Sequence, residues 1–211
     1  MNNQELEVKF YVSDLMEIEA RLRLLGAHQV QARVHEVNLR FDTPDGDLGR
    51  GYRVLRLRQD DAVRLTYKGP SQYQEGVRAR QEIEFSVSDF EAARLFLEAL
   101  GFVVSMVYEK YRTTYELDGV QITLDEMPYG DFIEIEGPDP KSIRGVQDRL
   151  GLDWEKRVPE SYTALFEQLR PALGLPFRDL SFANFDGLDI SMDVIKIHPA
   201  DRPEPGPSQG R

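Results

Sequence analysis

The chain has 211 residues, of which 41% are hydrophobic, enough for one domain with a core and a tail. Its net charge of −11 excludes a general nucleic-acid-binding face, and the absence of cysteine excludes disulfides and thiolate metal sites. The start, Met1 to Lys9, carries no apolar signal segment and no stretch reaches the length of a membrane span, so a cytoplasmic protein with no membrane contact is expected.

In chain order, Leu6, Val8 and Phe10 alternate with Glu5, Glu7 and Lys9 and read as a first strand. A helix over 13–26 follows, capped by Ser13 and stopped by Gly26, with Leu15, Ile18, Leu22 and Leu25 on one face. A long strand over 29–42 ends in the turn Thr43-Pro44-Asp45-Gly46, where Asp42 is expected to shape the turn. Strands are expected at 52–60 and 63–69, then a polar, mobile loop over 69–76 and a strand at 77–87. A helix over 89–100 stops at Gly101. Three strands follow at 102–117, 120–126 and 131–137, the first two joined at Asp118-Gly119, a strong hairpin signal. Helices are expected at 139–150 and 160–173. Residues 174–198 show no clean period, and 199–211, rich in Pro, Gly and Ser, read as a disordered tail.

Function enters through the polar faces of the strands. Glu5/Glu7, Arg56/Arg58, Glu82/Glu84, Lys110/Arg112 and Glu134/Glu136 each place like charges two residues apart. Such neighbours lie about 6.6 Å apart by strand rise and repel by roughly 2.5 kcal/mol at an effective dielectric near 20. An open sheet with its charged face in water tolerates this by screening. A closed barrel with the charges inward tolerates it only with a ligand of both signs. In that arrangement Lys9, Arg56, Arg58, Lys68, Arg80, Lys110 and Arg112 suit phosphate oxygens. Glu5, Glu7, Glu82, Glu84, Asp125, Glu134 and Glu136 suit a hard cation, Mg²⁺ or Mn²⁺. A polyphosphate bridged to carboxylates by metal satisfies both sets.

Several short segments, in order, carry a resemblance. Glu5-Leu6-Glu7-Val8-Lys9 looks like ExExK, Phe41-Asp42-Thr43-Pro44 like an aromatic-Asp-Thr turn, and Leu55-Arg56-Leu57-Arg58 like LRxR. Thr66-Tyr67-Lys68-Gly69 looks like TxKG, Arg80-Gln81-Glu82-Ile83-Glu84 like RxExE, and Glu109-Lys110-Tyr111-Arg112 like EKxR. Gly130 to Glu136 looks like GxFxEIE, and Ser161-Tyr162 like a terminal SY segment. Over about 4–170 the chain thus resembles the CYTH superfamily, the triphosphate tunnel metalloenzymes. The resemblance implies an α+β fold: a closed eight-stranded antiparallel tunnel over 1–173 with helices outside, the last of them bracing or closing one end.

It also implies metal-dependent hydrolysis of a triphosphate such as tripolyphosphate, thiamine triphosphate or ATP, with Glu5, Glu7, Lys9 and Lys68 as catalytic residues. Class IV adenylyl cyclisation of ATP and non-catalytic polyphosphate binding are the alternatives. Some class IV cyclases carry a His-Phe pair before ExExK; only Met1-Asn2-Asn3-Gln4 stands there, and hydrolysis ranks first. A monomer or a homodimer is expected. His28, His35 and His198 lack metal-ligand spacing and read as surface groups, Trp154 reads as core, and Arg64 and Arg78 face either the cavity or solvent.

Overall fold

A computed structural model describes residues 4–202. Nine strands form: β1 (Gln4–Val12), β2 (His28–Asp42), β3 (Val54–Gln59), β4 (Val63–Lys68), β5 (Gln72–Gln74), β6 (Val77–Val87), β7 (Val103–Leu117), β8 (Val120–Met127) and β9 (Gly130–Glu136). Around them lie α1 (Leu15–Leu24), α2 (Asp47–Arg50), α3 (Phe90–Ala99), α4 (Pro140–Leu150) and α5 (Tyr162–Leu173). The sheet runs β1-β9-β8-β7-β2-β3-β4-β6, and β6 pairs back onto β1, closing an eight-stranded antiparallel barrel as expected; β5 lies outside it on β6. The Asp118-Gly119 turn sits between the paired residues Leu117 and Val120, and both turn residues have positive φ, the combination a tight hairpin needs.

The alternation holds through the barrel: apolar residues point outward into two clusters and charged residues point inward, while a third cluster takes Tyr108 and Phe132 from the same strand faces that carry Lys110 and Glu134. Phe10, Ile122, Ile133 and Ile135 pack under α1 and α4, whose Ile143, Val146 and Leu150 recur at helical spacing. Leu39, Phe41 and Leu57 pack under Leu97 of α3. Phe132, Tyr108 and Tyr129 pack under α5 and the segment after it. The helix termini are capped by side chains: Asp14, Asp89, Asp139 and Ser161 each accept from a backbone N–H in the first turn.

Four expectations change. Asp14, not Ser13, caps α1, because Ser13 is engaged by Asp201 through both its N–H and its hydroxyl. The loop after β4 contains β5, which uses the free edge of β6. Past Thr43 the chain turns into α2, held by Asp42, whose carboxylate accepts from the N–H groups of Thr43, Leu48 and Gly49. The end of the chain is the largest change. β7 outruns β8, which pairs with it only from Tyr111 onward, so its first half has an unpaired edge. Leu180 takes that edge: its N–H donates to Val107 and its carbonyl accepts from Glu109. Residues 174–202 form a strap that inserts Leu180, Phe185 and Met192 singly into the core, which is why they show no period. β1 likewise outruns β6, and Val158 and Ala200 bond its free edge at Lys9 and Tyr11. The expected disorder from 199 onward therefore does not hold for 199–202, where Ala200 is buried and Asp201 binds Ser13. Residues 203–211 lie outside the described residues.

Candidate active site

The barrel encloses a cavity of about 580 Å³ lined by ten cationic and nine anionic side chains. A chain that is acidic overall thus keeps a nearly balanced, highly charged interior. All the expected site residues line it except Asp125, which sits fully buried behind Arg112. Arg64 and Arg78, left open by the sequence, both line it.

The strand registers sort these groups into two sets. In the first, Glu36 on β2 faces Lys110 on β7, and Asn38 faces Arg58 on β3. Glu36 is only 1% exposed, with Lys110 at 3.5 Å, Arg58 at 3.8 Å and Arg112 at 3.9 Å. Burial works against ionising Glu36, yet Lys110, Arg112, Arg58 and Arg56 outweigh it and hold its carboxyl at about 2. The contacts are ionic and long, and Glu36 Oε2 has no hydrogen-bond partner. Burial and neighbouring Arg56 push the Arg58 guanidinium down from its usual range, so this cation is incompletely compensated. Glu84 accepts from Thr66 at 2.7 Å and meets Arg56 and Arg58 at 3.4 Å.

The second set lies at the β1–β6 seam. Glu5 stands opposite Arg80, Glu7 opposite Arg78 and Glu136, and Lys68 opposite Glu82. Lys68 reaches Glu5 at 2.9 Å and Glu82 at 3.0 Å, and Arg80 reaches Glu5 at 2.8 Å and Glu7 at 3.2 Å. Burial opposes ionisation of Glu5, but Lys68 and Arg80 prevail and keep it well below the usual range. Glu82 is raised to about 7 by burial and by Glu5 beside it. Glu136 is raised to about 7 by burial and by Glu5, Glu7 and Glu82. Carboxylates here outnumber what their cationic neighbours can neutralise.

Between the sets, Lys9 pairs with Glu134 at 3.3 Å and donates to the carbonyl of Glu160 at 3.1 Å. Arg112 reaches Glu134 at 2.7 Å. The first residue of α5, Tyr162, enters the barrel: its hydroxyl donates to Asp125 at 2.7 Å, and Lys9 Nζ lies 4.0 Å from its ring centre. The SY segment therefore contributes directly to the interior. Glu36, Arg40 and Tyr108 also line the cavity and were missed in the sequence. For Glu36 and Arg40 the signal was the parity of Glu36, Asn38 and Arg40 against Val37, Leu39 and Phe41, and for Tyr108 the parity it shares with Lys110 and Arg112.

Among the described residues no three carboxylates or histidines converge at coordination distance. The oxygen-only donors of the seam nevertheless fit a hard divalent cation, because burial and the carboxylates crowded there push Glu82 and Glu136 up to about 7, and a bound cation would relieve that repulsion.

Known proteins match this picture. The CYTH domain matches residues 3–153. A Methanocaldococcus jannaschii protein named "putative adenylate cyclase" is 28% identical over 147 residues, covering 69% of this chain and 81% of its own. A solved Pyrococcus horikoshii structure superposes with a TM-score of 0.67 at 30% identity, covering 79% of this chain and 99% of its own. A Hippeastrum protein, named "putative adenylyl cyclase" and described as having a dominant triphosphatase activity, shares the fold with a TM-score of 0.58 at 20% identity, over 78% of this chain and 95% of its own. With the closed barrel, the inward charges and a domain match over most of its length, the chain belongs to the CYTH family.

Proposed function

We propose that this chain binds the triphosphate group of a small molecule inside the tunnel, together with Mg²⁺ or Mn²⁺, and hydrolyses it. One observation carries the reading: the charges of both signs inside the barrel fall into two sets, one richer in cations and one richer in carboxylates. Arg56, Arg58, Lys110 and Arg112 gather round Glu36, while Glu5, Glu7, Glu82 and Glu136 gather at the seam. A polyanion would give the first set the oxygen partners that Glu36 supplies only at long range, and a cation would relieve the second.

In this reading the arginines and Lys110 hold the phosphate oxygens and stabilise charge as the phosphoryl group departs. Water attacks the terminal phosphorus, the bridging P–O bond breaks with its electron pair leaving on the diphosphate, and the proton of the water passes to a seam carboxylate. Glu5, Glu7, Glu82 and Glu136 would hold the cation, which when bound neutralises phosphate charge and makes water more acidic. Glu84, Glu134 and Asp125, expected from the sequence among the metal ligands, are read here as partners of Arg56, Arg58, Arg112 and Lys110, with which they pair. Lys9 and Lys68 stand where each group meets the other.

The substrate is a small triphosphate: tripolyphosphate, thiamine triphosphate or ATP. Cyclisation of ATP would use the same groups and is favoured by the name of the M. jannaschii relative; the activity described for the Hippeastrum protein favours hydrolysis. Incubation of each substrate with Mg²⁺ or Mn²⁺, assayed for orthophosphate, pyrophosphate and cyclic AMP, tests the reading. Orthophosphate release supports it. Cyclic AMP with equimolar pyrophosphate would replace it with cyclisation, and binding without turnover would reduce it to a binding module.

A further inference from the structure

Tyr108, Tyr115, Tyr129 and Tyr162 are buried, and three of them spend their hydroxyl proton on the protein. Tyr115 donates to Glu19 Oε1 at 2.5 Å, Tyr129 to the carbonyl of Tyr162 at 2.9 Å, and Tyr162 to Asp125 Oδ2 at 2.7 Å. Tyr108 is the exception. Among the described residues its hydroxyl makes one hydrogen bond, accepted from Arg56 Nη1 at 3.4 Å, longer than the usual value of about 3.0 Å. Its own proton has no acceptor there. A buried hydroxyl bonded this weakly costs stability, and phenylalanine would fill the same space without it.

The surroundings share the deficit. Tyr108 lines the cavity two residues from Lys110 on the same strand face, opposite Asn38 of β2. On β2 and β3, Glu36 Oε2, both amide atoms of Asn38, and the Nε of Arg40, Arg56 and Arg58 are buried without a hydrogen-bond partner among the described residues. Most of these atoms are N–H donors. Burial pushes the Tyr108 phenol up, but Arg56 and Lys110 outweigh that and hold it below the ordinary tyrosine range, which makes it a stronger donor to an anion. The 174–202 strap holds the residue in place. Asp179 accepts from the N–H of Val107 at 3.0 Å, Leu180 bonds the Val107 carbonyl and the Glu109 N–H at 2.9 Å each, and the Glu109 carboxylate accepts from the N–H of Phe182 at 3.1 Å. The backbone on both sides of Tyr108 is thus fixed before any ligand arrives.

We infer that Tyr108 is a further substrate-binding residue, whose hydroxyl donates to a phosphate oxygen held by Arg56 and Lys110. This rests on the reading of the tunnel as a triphosphate site. The phosphate oxygen takes the proton that no protein atom accepts, while the Arg56 N–H groups serve the same anion.

Tyr108→Phe removes the hydroxyl and keeps the ring. Melting curves over a tripolyphosphate series with Mg²⁺ give the concentration for the half-maximal rise in Tm. That concentration should increase about tenfold in Tyr108→Phe, the loss of one hydrogen bond to a charged acceptor, while the ligand-free Tm stays at or above wild type. Tyr115→Phe, on the same strand but bonded to Glu19 outside the cavity, should melt lower without ligand and keep the wild-type concentration. Tyr108→Met, which also lacks the hydroxyl, decides the matter should Tyr108→Phe misfold. An unchanged concentration in a folded Tyr108 variant overturns this inference alone, and so does an equal increase in Tyr115→Phe. A wild type that responds to none of tripolyphosphate, thiamine triphosphate and ATP overturns the reading of the tunnel, and this inference with it.

Discussion

Arg112 holds Asp125 with two parallel hydrogen bonds, Nε to Oδ1 at 2.6 Å and Nη2 to Oδ2 at 2.5 Å. Asp125 is fully buried and also meets Lys110 at 3.1 Å and the hydroxyl of Tyr162 at 2.7 Å. Every partner is a donor, so this carboxylate aims cations at the cavity from behind. Asp125→Asn should lower kcat/KM by at least tenfold while leaving the metal concentration for half-maximal activity unchanged. Asp125→Ala should destabilise by about 3–5 kcal/mol, the usual cost of stranding buried charge. A large rise in the metal requirement in Asp125→Asn would show that it is a ligand instead.

Arg58 and Lys110 separate the two ways a tunnel cation can be held. Lys110 has a close partner in Asp125 at 3.1 Å, whereas Arg58 has contacts of 3.4–3.8 Å only. Arg58→Ala should melt at or above the wild-type temperature, and Lys110→Ala below it. Both should lose most of the rise in Tm that tripolyphosphate confers, since that rise scales with affinity for the folded state. Wild-type ligand shifts in both variants would make these residues structural only.

Metal removal should abolish turnover. Glu5→Gln and Glu136→Gln should each raise the Mg²⁺ or Mn²⁺ concentration for half-maximal activity by about tenfold, measured by phosphate release in a metal titration. Cleavage that persists in excess chelator would rule out the assigned role of the seam carboxylates.

Asp131, on β9 outside the cavity, is raised to about 6 by burial and by the nearby carboxylates Glu126 and Asp14. Its folded-state pKa exceeds its unfolded value, so the folded state binds its proton more tightly. The group favours folding at acidic pH, and that contribution is lost as pH rises from about 4 through about 6. Asp131→Asn should therefore stabilise at pH 7.5 by about 1–2 kcal/mol after discounting for its partial exposure, and be neutral near pH 4. Urea midpoints at the two pH values measure it. Equal effects at both would discard the electrostatic cause.

The barrel was legible because charge alternates with apolar residues on nearly every strand: Glu5/Leu6/Glu7/Val8/Lys9 and Glu134/Ile135/Glu136 state which face turns inward. Glu36 was not legible, because a lone carboxylate followed by Asn38 and Arg40 has no like-charged neighbour to mark it. The strap was hidden for another reason. Leu180 and Ala200 are placed by backbone bonds to strand edges, and backbone donors and acceptors are the same in every residue. The division of charge into two sets is likewise a property of cross-strand register. Lys68 and Glu5 are far apart in the chain and 2.9 Å apart in the barrel.

β1 is joined to β6 on one side and β9 on the other, so during synthesis this strand is enclosed only when Gly130–Glu136 has been made. At roughly 5–20 residues per second that is a wait on the order of ten seconds. Throughout it Val8, Phe10 and Val12 on one side, and Glu7 and Lys9 on the other, lack their final neighbours. The alternating charges that later line the cavity keep this waiting segment hydrated and poorly suited to pair with other nascent chains. The same residues thus guard the newborn strand before they have any substrate to meet.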